Sequence, residues 1–285
     1  MPELPEVETI ANGLRQGGFG QPSILGRRIE RAHLLWRRSL ASPSPEEFER
    51  RVVNQAIEEV GRRGKFLVLR LSRDYLLFHL RMSGDLIAEP VSTAIAPHHR
   101  LIIDLDEGLR LAFNDARKFG RAWLVDDAAT VLGSLGPEPL DPNLTPAAFH
   151  ARLTARRRQL KPLLLDQSFL AGLGNIYSDE ALFLAGLHPL ALAHKLTLAQ
   201  SERLLNSIRQ TLQEGIRHHG ASIDWVYRGG DFQNHFRVYR RTGEPCRVCG
   251  SLIQRLRLNQ RSTHFCPVCQ QLPSGNMSLP PGEVT

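Results

Sequence analysis

The sequence predicts a multidomain α+β protein with an N-terminal β-sandwich or barrel, a helical domain and a C-terminal β-hairpin built around cysteines. Three observations predict it. Short β-type runs fill the first half, helical periodicity takes over after a proline-rich break, and all four cysteines fall between positions 246 and 269. With 285 residues, 42% of them hydrophobic, the chain is long enough for one large or two medium domains with their own cores, without a disulfide framework.

Leu4–Gln16 reads as a helix because Pro5 suits the first turn, Glu6 and Glu8 complement the dipole there, and Gly17-Gly18 stops it. Runs at 24–35, 52–60, 65–71, 75–80, 101–105, 109–113 and 121–125 read as strands, a spacing that suits a sandwich or barrel. Three prolines in GSLGPEPLDP mark a boundary, so the first domain is expected at 1–132 and a linker at 133–145. Helical patterns follow at 146–156, 161–166, 176–185 and 198–219, giving a second domain over 146–234. From 235 to 270 the pattern is β again, and a Pro/Ser-rich tail at 271–285 is expected to be disordered.

Thirty-six Lys+Arg against 29 Asp+Glu leave +7 and a pI near 9.7, which favours a polyanionic partner over an acidic small metabolite. No apolar run approaches the ~18 to 20 residues of a membrane span, and MPELPEVETI has neither a basic nor an apolar signal region. A cytoplasmic protein without a membrane partner is therefore expected. Cys246-x-x-Cys249 and Cys266-x-x-Cys269, sixteen residues apart, have zinc-ribbon spacing, the alternative being two disulfides or free thiols. Four filled ligand positions leave none open for a reactive water, so one structural Zn²⁺ is expected, holding a β-hairpin zinc finger. Between 231 and 270 seven arginines face only Asp231 and Glu244, and Arg152, Arg156, Arg157, Arg158 and Lys161 form a second basic cluster. Each is a solvated face or a phosphate grip; two on separate domains favour a bound polyanion.

Ala171-Gly-Leu-Gly-Asn175 precedes a predicted helix, with Asn175 as its candidate N-cap and glycines that let backbone N–H groups approach an anion. At the N-terminus, removal of Met1 would leave Pro2 with a free secondary amine, a nucleophile able to form an iminium with a sugar carbon. Glu3 beside it is a candidate proton donor. From chemistry alone an ordinary helix start is the stronger reading.

Taken together, MPELPEVET, GRRGKFL around Lys65, HLRMSG around Met82, DARKFG around Arg117, GLGNIYSDEALF around Asn175 and QRSTHFCPVCQ resemble formamidopyrimidine-DNA glycosylases, in order and over positions 2–270. The resemblance implies a helix-two-turn-helix domain between the sandwich and the finger, and a bifunctional glycosylase and AP lyase of base-excision repair acting on oxidised purines in damaged double-stranded DNA as a monomer. It implies Pro2 as nucleophile, Glu3 as acid, and Lys65 and Arg261 as phosphate-binding residues that assist elimination. It further implies His98, Arg117, Arg156, Lys161 and Asn175 as DNA contacts, and Met82, Arg117 and Phe119 as fillers of the gap left by a flipped-out base.

Two departures stand out. Lys118 occupies a position where many relatives carry Arg, keeping charge but losing the fork geometry. The segment 219–236 is shorter than the lid that covers an extruded purine in well-known relatives, which bears on lesion choice. An endonuclease VIII-like enzyme for oxidised pyrimidines is disfavoured by the Pro-Glu-Leu-Pro-Glu start and by Met82 and Phe119. A non-catalytic zinc-ribbon binder would have no use for a terminal imine-forming amine.

Overall fold

A computed structural model describes residues 1–18, 20–222 and 229–272. Of the segment 219–236 and the expected tail 271–285, residues 223–228 and 273–285 lie outside the described residues. The chain forms two compact units, Met1–Ser134 with a return segment at His218–Asp231, and Leu135–Arg217 with the chain from Phe232.

The first unit opens with α1 (Leu4–Gln16), which has Pro5 in its first turn and stops at Gly17, whose φ of +77° favours glycine. Its strands are β1 (Ile29–Leu34), β2 (Leu40–Ser42), β3 (Ile57–Arg63), β4 (Phe66–Leu71), β5 (Tyr75–His79), β6 (Gly84–Pro90), β7 (His99–Leu105), β8 (Leu109–Asp115) and β9 (Arg121–Val125). They make a four-stranded sheet, β1-β7-β8-β6, and a five-stranded one, β2-β9-β5-β4-β3. Every pairing is antiparallel except β2 with β9. Alternation buries Leu67, Leu69 and Leu71 from one sheet, Leu101, Ile103 and Leu105 from the other, and Val7, Ala11 and Leu14 of α1 in one core. Phe78 and Phe113 meet there edge to face, ring centroids 5.4 Å apart.

Two differences from the sequence reading have local causes. Helix α2 (Pro45–Val52) precedes the run that was expected to begin a strand at Val52, because Ser44 caps it, accepting from Glu47 N at 3.2 Å, and Pro45 occupies its first turn. Strand β6 was not foreseen, since Gly84 and Pro90 at its ends look like breakers. A short α3 (Ala129–Leu132) follows β9.

In the second unit α4 (Pro146–Thr154) is capped by Thr145, and α5 (Leu160–Leu164), α6 (Asn175–Leu184) and α7 (Leu198–Arg217) follow. Tyr177 on α6 stacks on Phe232 with centroids 5.2 Å apart, and a Cβ at Gly215 of α7 would lie 2.4 Å from the Tyr177 ring, so only glycine admits this approach. The zinc-ribbon region is less regular than the β pattern expected over 235–270. Among the described residues only β10 (Gln254–Leu258) and β11 (Arg261–Phe265) are strands there, joined by Asn259 and Gln260, both at positive φ as a two-residue hairpin turn requires.

Candidate active site and nucleic-acid interface

In the first unit Pro2 and Glu3 are both buried, immediately ahead of α1. Glu3 is the N-cap, and a reciprocal capping box ties its backbone N–H to Glu6 Oε2 at 2.7 Å. Glu6 is itself buried, and its other oxygen accepts from Ala221 N at 2.8 Å in the return segment. One carboxylate thus joins the residue beside the candidate nucleophile to the root of the 219–236 segment. Glu8 of α1 pairs with Arg62 of β3 at 2.8 Å, two residues before the tight Gly64-Lys65 turn into β4. Lys65 is 5% exposed. Burial, helped by the cations of Arg81 and Lys65, pushes His79 down to about 3, so this imidazole is neutral and its Nδ1 accepts from Arg81 N at 3.1 Å.

Two connections that pass from one sheet to the other carry the expected gap fillers. The turn 80–83 leaves β5 for β6 and exposes Met82 by 41%. The turn 116–120 leaves β8 for β9 and exposes Phe119 by 51%, with the Arg117 guanidinium 5.1 Å from its ring centroid. Sheet pairing sets the two side by side, Gly84 opposite Asp115 and His79 opposite Arg121. Exposed His98 lies beside them through its carbonyl, which accepts from Asp115 N at 2.9 Å. Lys118 lies over the Trp36 ring, 4.2 Å from its centroid, a cation–π contact that gives the Arg-to-Lys departure a local role.

The second unit gathers Lys161, Asn175 and the base of Arg261. Lys161 is fully buried, and its ammonium meets Asp179 Oδ1 and lies 3.5 Å from the carbonyls of Asn175 and Ser262. The other Asp179 oxygen accepts from His264 N and faces His264 Nδ1, both at 3.0 Å. Asn175 donates to Ser262 O at 3.0 Å, while its buried Oδ1 has no hydrogen-bond partner among the described residues. It is the first helical residue; the N-cap is Gly174, so the capping role expected of Asn175 is corrected, its amide being turned to the β10–β11 hairpin instead. Arg261 opens β11 and is exposed, as are Arg156 and Arg157, whereas Arg158 is paired with Asp166 at 2.7 Å. Glu180, fully buried, accepts from the backbone N–H groups of Arg237, Val238 and Tyr239 at 2.8 to 2.9 Å; burial nonetheless holds its carboxyl above the usual range.

The four cysteine sulfurs converge within 4.8 Å of one another, Cys246 and Cys269 at 3.9 Å and Cys249 and Cys266 at 3.4 Å. None is in a disulfide. A tetrahedron with metal–sulfur bonds of about 2.3 Å has edges of about 3.8 Å, so the set fits zinc. The thiols are also unlike: hydrogen bonds from Ser251 draw Cys249 down to about 6, whereas burial pushes Cys266 and Cys269 up. A divalent cation would favour the thiolate form of all four. Gln270 ties this cluster to the helices, accepting from Cys266 N and donating to Leu187 O, each at 2.9 Å.

Family models match in the same order as these features. That of the formamidopyrimidine-DNA glycosylase N-terminal domain covers residues 1–122, the H2TH domain of the same enzymes 135–226, and the zinc finger found in FPG and IleRS 243–272. The chain belongs to the formamidopyrimidine-DNA glycosylase family. The Chloroflexus aurantiacus member is 47% identical over 278 residues, covering 95% of this chain and 98% of its own; that of Protochlamydia amoebophila is 42% identical, covering 95% and 100%. Among solved structures, the Lactococcus lactis FPG (MutM) with DNA containing Fapy-dG is 34% identical and superposes with a TM-score of 0.86, covering 94% of this chain and all of its own. A MutM complex with DNA containing carbocyclic 8-oxo-G gives 34%, 0.86, 95% and 100%. The protein is a base-excision-repair DNA glycosylase of a family whose general activity includes AP lyase, with a structural zinc finger. No helix among the described residues is long and apolar enough to cross a membrane.

Sequence reasoning missed the buried carboxylates that organise these groups. In the sequence Glu6 stands out only as a dipole complement, and Asp115, Asp179 and Glu180 carry no signal of their own within DARKFG and GLGNIYSDEALF. The available signal was position: an acid inside an otherwise apolar or glycine-flanked run must find donors once buried.

Proposed function

We propose that this enzyme excises oxidised purines, 8-oxoguanine and formamidopyrimidines, from duplex DNA through a Schiff base on Pro2 and then cuts the strand by β,δ-elimination. The observation that carries the reading is Pro2 set directly before Glu3, itself the buried N-cap of α1. After Met1 is removed, the Pro2 nitrogen attacks C1′ and the C1′–N bond to the base breaks, the base leaving with that electron pair and taking up the proton that the Pro2 nitrogen sheds. Glu3 gives its proton to the ring oxygen as the deoxyribose opens, which leaves an iminium between Pro2 and C1′. Loss of a C2′ proton expels the 3′-phosphate, a second elimination expels the 5′-phosphate, and water releases the sugar remnant. Lys65 and Arg261 hold the flanking phosphates, His98, Arg156 and Asn175 help to fix the backbone, and Met82, Arg117 and Phe119 occupy the vacated space. Lys161, fully buried against Asp179, has no surface to offer a phosphate and instead anchors the hairpin that carries Arg261.

The relatives solved with Fapy-dG and carbocyclic 8-oxo-G DNA support the purine substrate. One chain carries every group the reaction needs, which supports a monomer, and a four-thiolate zinc site suits the reducing cytoplasm, where the nucleoid lies. The test compares duplexes carrying 8-oxoguanine, a formamidopyrimidine or 5-hydroxycytosine. Faster release of the two purines, with gaps bearing phosphate at both ends, is expected; faster release of the pyrimidine would assign an endonuclease VIII-like specificity. Glu3→Gln should stop base release yet leave part of the cleavage at a ready-made abasic site.

A further inference from the structure

We propose that Asp115 is a positioning residue that locks the Met82 turn and the Arg117–Phe119 turn into one rigid wedge. The proposal rests on the reading of these three side chains as gap fillers. Asp115 is 1% exposed and sits where the 116–120 connection starts, opposite Gly84, where the 80–83 connection ends. Its Oδ1 accepts from Ser83 Oγ in the first turn and from Arg117 N in the second, the latter at 3.2 Å, and its Oδ2 accepts from Gly120 N at 2.7 Å. Ser83 Oγ also accepts from Arg117 N at 3.2 Å, so the two turns are bonded directly as well as through the carboxylate. The Asp115 main chain extends the clamp, since its N–H donates to His98 O at 2.9 Å and its carbonyl accepts from Arg100 Nε at 2.7 Å.

Three consequences follow from elementary chemistry. A buried carboxylate whose donors come from two turns resists the displacement of either one, because the motion would strand a charge without its hydrogen bonds. The turns therefore enter a duplex as a unit. Lys118 keeps a left-handed φ of +60° between two pinned ends, a conformation that a free loop would relax. At Gly120 a Cβ would lie 2.4 Å from Phe113 Cζ and 3.1 Å from Asp115 Oδ2, so the close approach that lets its N–H reach the carboxylate requires glycine. Between these anchors Met82 and Phe119 stay in solvent with their stems fixed, which lowers the ordering cost of inserting them between bases.

The experiment measures 8-oxoguanine excision from duplex, 2-aminopurine fluorescence beside the lesion, and borohydride trapping on a single-stranded abasic oligonucleotide, which has no gap to fill. In Asp115→Asn an amide N–H₂ faces donors where an oxygen stood, and excision with its fluorescence change should slow roughly tenfold while single-strand trapping is unchanged. Ser83→Ala removes one donor, keeps the fold if Asp115→Asn does not, and should slow the same two signals severalfold. In a Met82→Ala/Phe119→Ala background the added effect of either variant should fall below about twofold, since no wedge remains to position. An equal loss on duplex and single strand, no loss at all, or effects that simply multiply would overturn the proposal. If Met82→Ala/Phe119→Ala alone excises at the normal rate, the gap-filling reading fails first and the role of Asp115 falls with it.

Discussion

The two units hold their reactive residues by different means. In the first, Glu6 and Asp115 are buried carboxylates satisfied by backbone N–H groups, standing on a core shared by two sheets and α1. In the second, the helices bury an apolar core of their own that includes Phe149, Leu153, Leu164, Tyr177, Leu204 and Ile208. The hairpin that carries Arg261, however, stands over a small cluster of Phe183, Val238, Cys246, Ile253 and Cys266 and is held by the fully buried Lys161–Asp179 pair and four cysteine sulfurs. The difference shows what each site can tolerate. Where apolar burial already fixes the backbone, polar clamps only refine positions; where the core is small, charge pairing and metal must supply the order themselves.

Removing a metal ligand should break this contrast most sharply. Cys249→Ser is expected to abolish DNA binding while the sandwich keeps its far-ultraviolet circular dichroism, because structural zinc supplies roughly 10 to 16 kcal/mol in finger peptides. A zinc-free preparation that binds DNA normally would show that the hairpin stands on its own core. Next in size, Lys161→Met leaves the Asp179 charge buried without its partner and should cost roughly 3 to 5 kcal/mol. Denaturant melts should place the loss in the helical unit, and an unchanged midpoint would mean that the pair contributes nothing.

Lys161 also shows why half of the interface was hidden in the sequence. Within RRRQLK it counts as one more exposed cation, and its partner lies eighteen residues on, inside the NIYSDEALF block. Charge along a chain reveals a basic stretch but not which member folds inward. By contrast, α1 was legible to the residue, because Pro5, Glu6 and Gly17 are local signals, and the cysteines were legible through spacing alone. Helix α2 escaped because Val52, its last buried residue, also begins a plausible strand. Asn175 escaped as a cap because the chain turns into the helix one residue earlier, at Gly174, which leaves Asn175 in the first turn with its amide nitrogen donating to Ser262 O at a sequence separation of 87.

A smaller effect sharpens the comparison through pH. His79 is neutral in the folded first unit down to about 3, whereas the unfolded chain takes up a proton below 6.5. Its contribution is therefore complete above pH 6.5 and is lost as pH falls towards 3, by at most about 1.4 kcal/mol per pH unit. His79→Asn should flatten that part of the acid limb in denaturant titrations, and a parallel curve would remove His79 as its cause. The mildest change is Arg117→Ala, which should narrow the preference for cytosine over adenine opposite 8-oxoguanine by roughly 1 to 3 kcal/mol. An equal fall on both duplexes would reduce Arg117 to gap filling or phosphate binding.

That the Pro2 nitrogen forms the covalent bond to the sugar is tested most directly by borohydride trapping on 8-oxoguanine duplex followed by mass spectrometry of the N-terminal peptide. The wild-type chain should yield a DNA adduct on Pro2 with Met1 absent, and Pro2→Gly should weaken base excision and strand cleavage together, since one amine serves both steps. An adduct on Lys65 or any other lysine, or a Pro2→Gly enzyme with full activity on both steps, would contradict it.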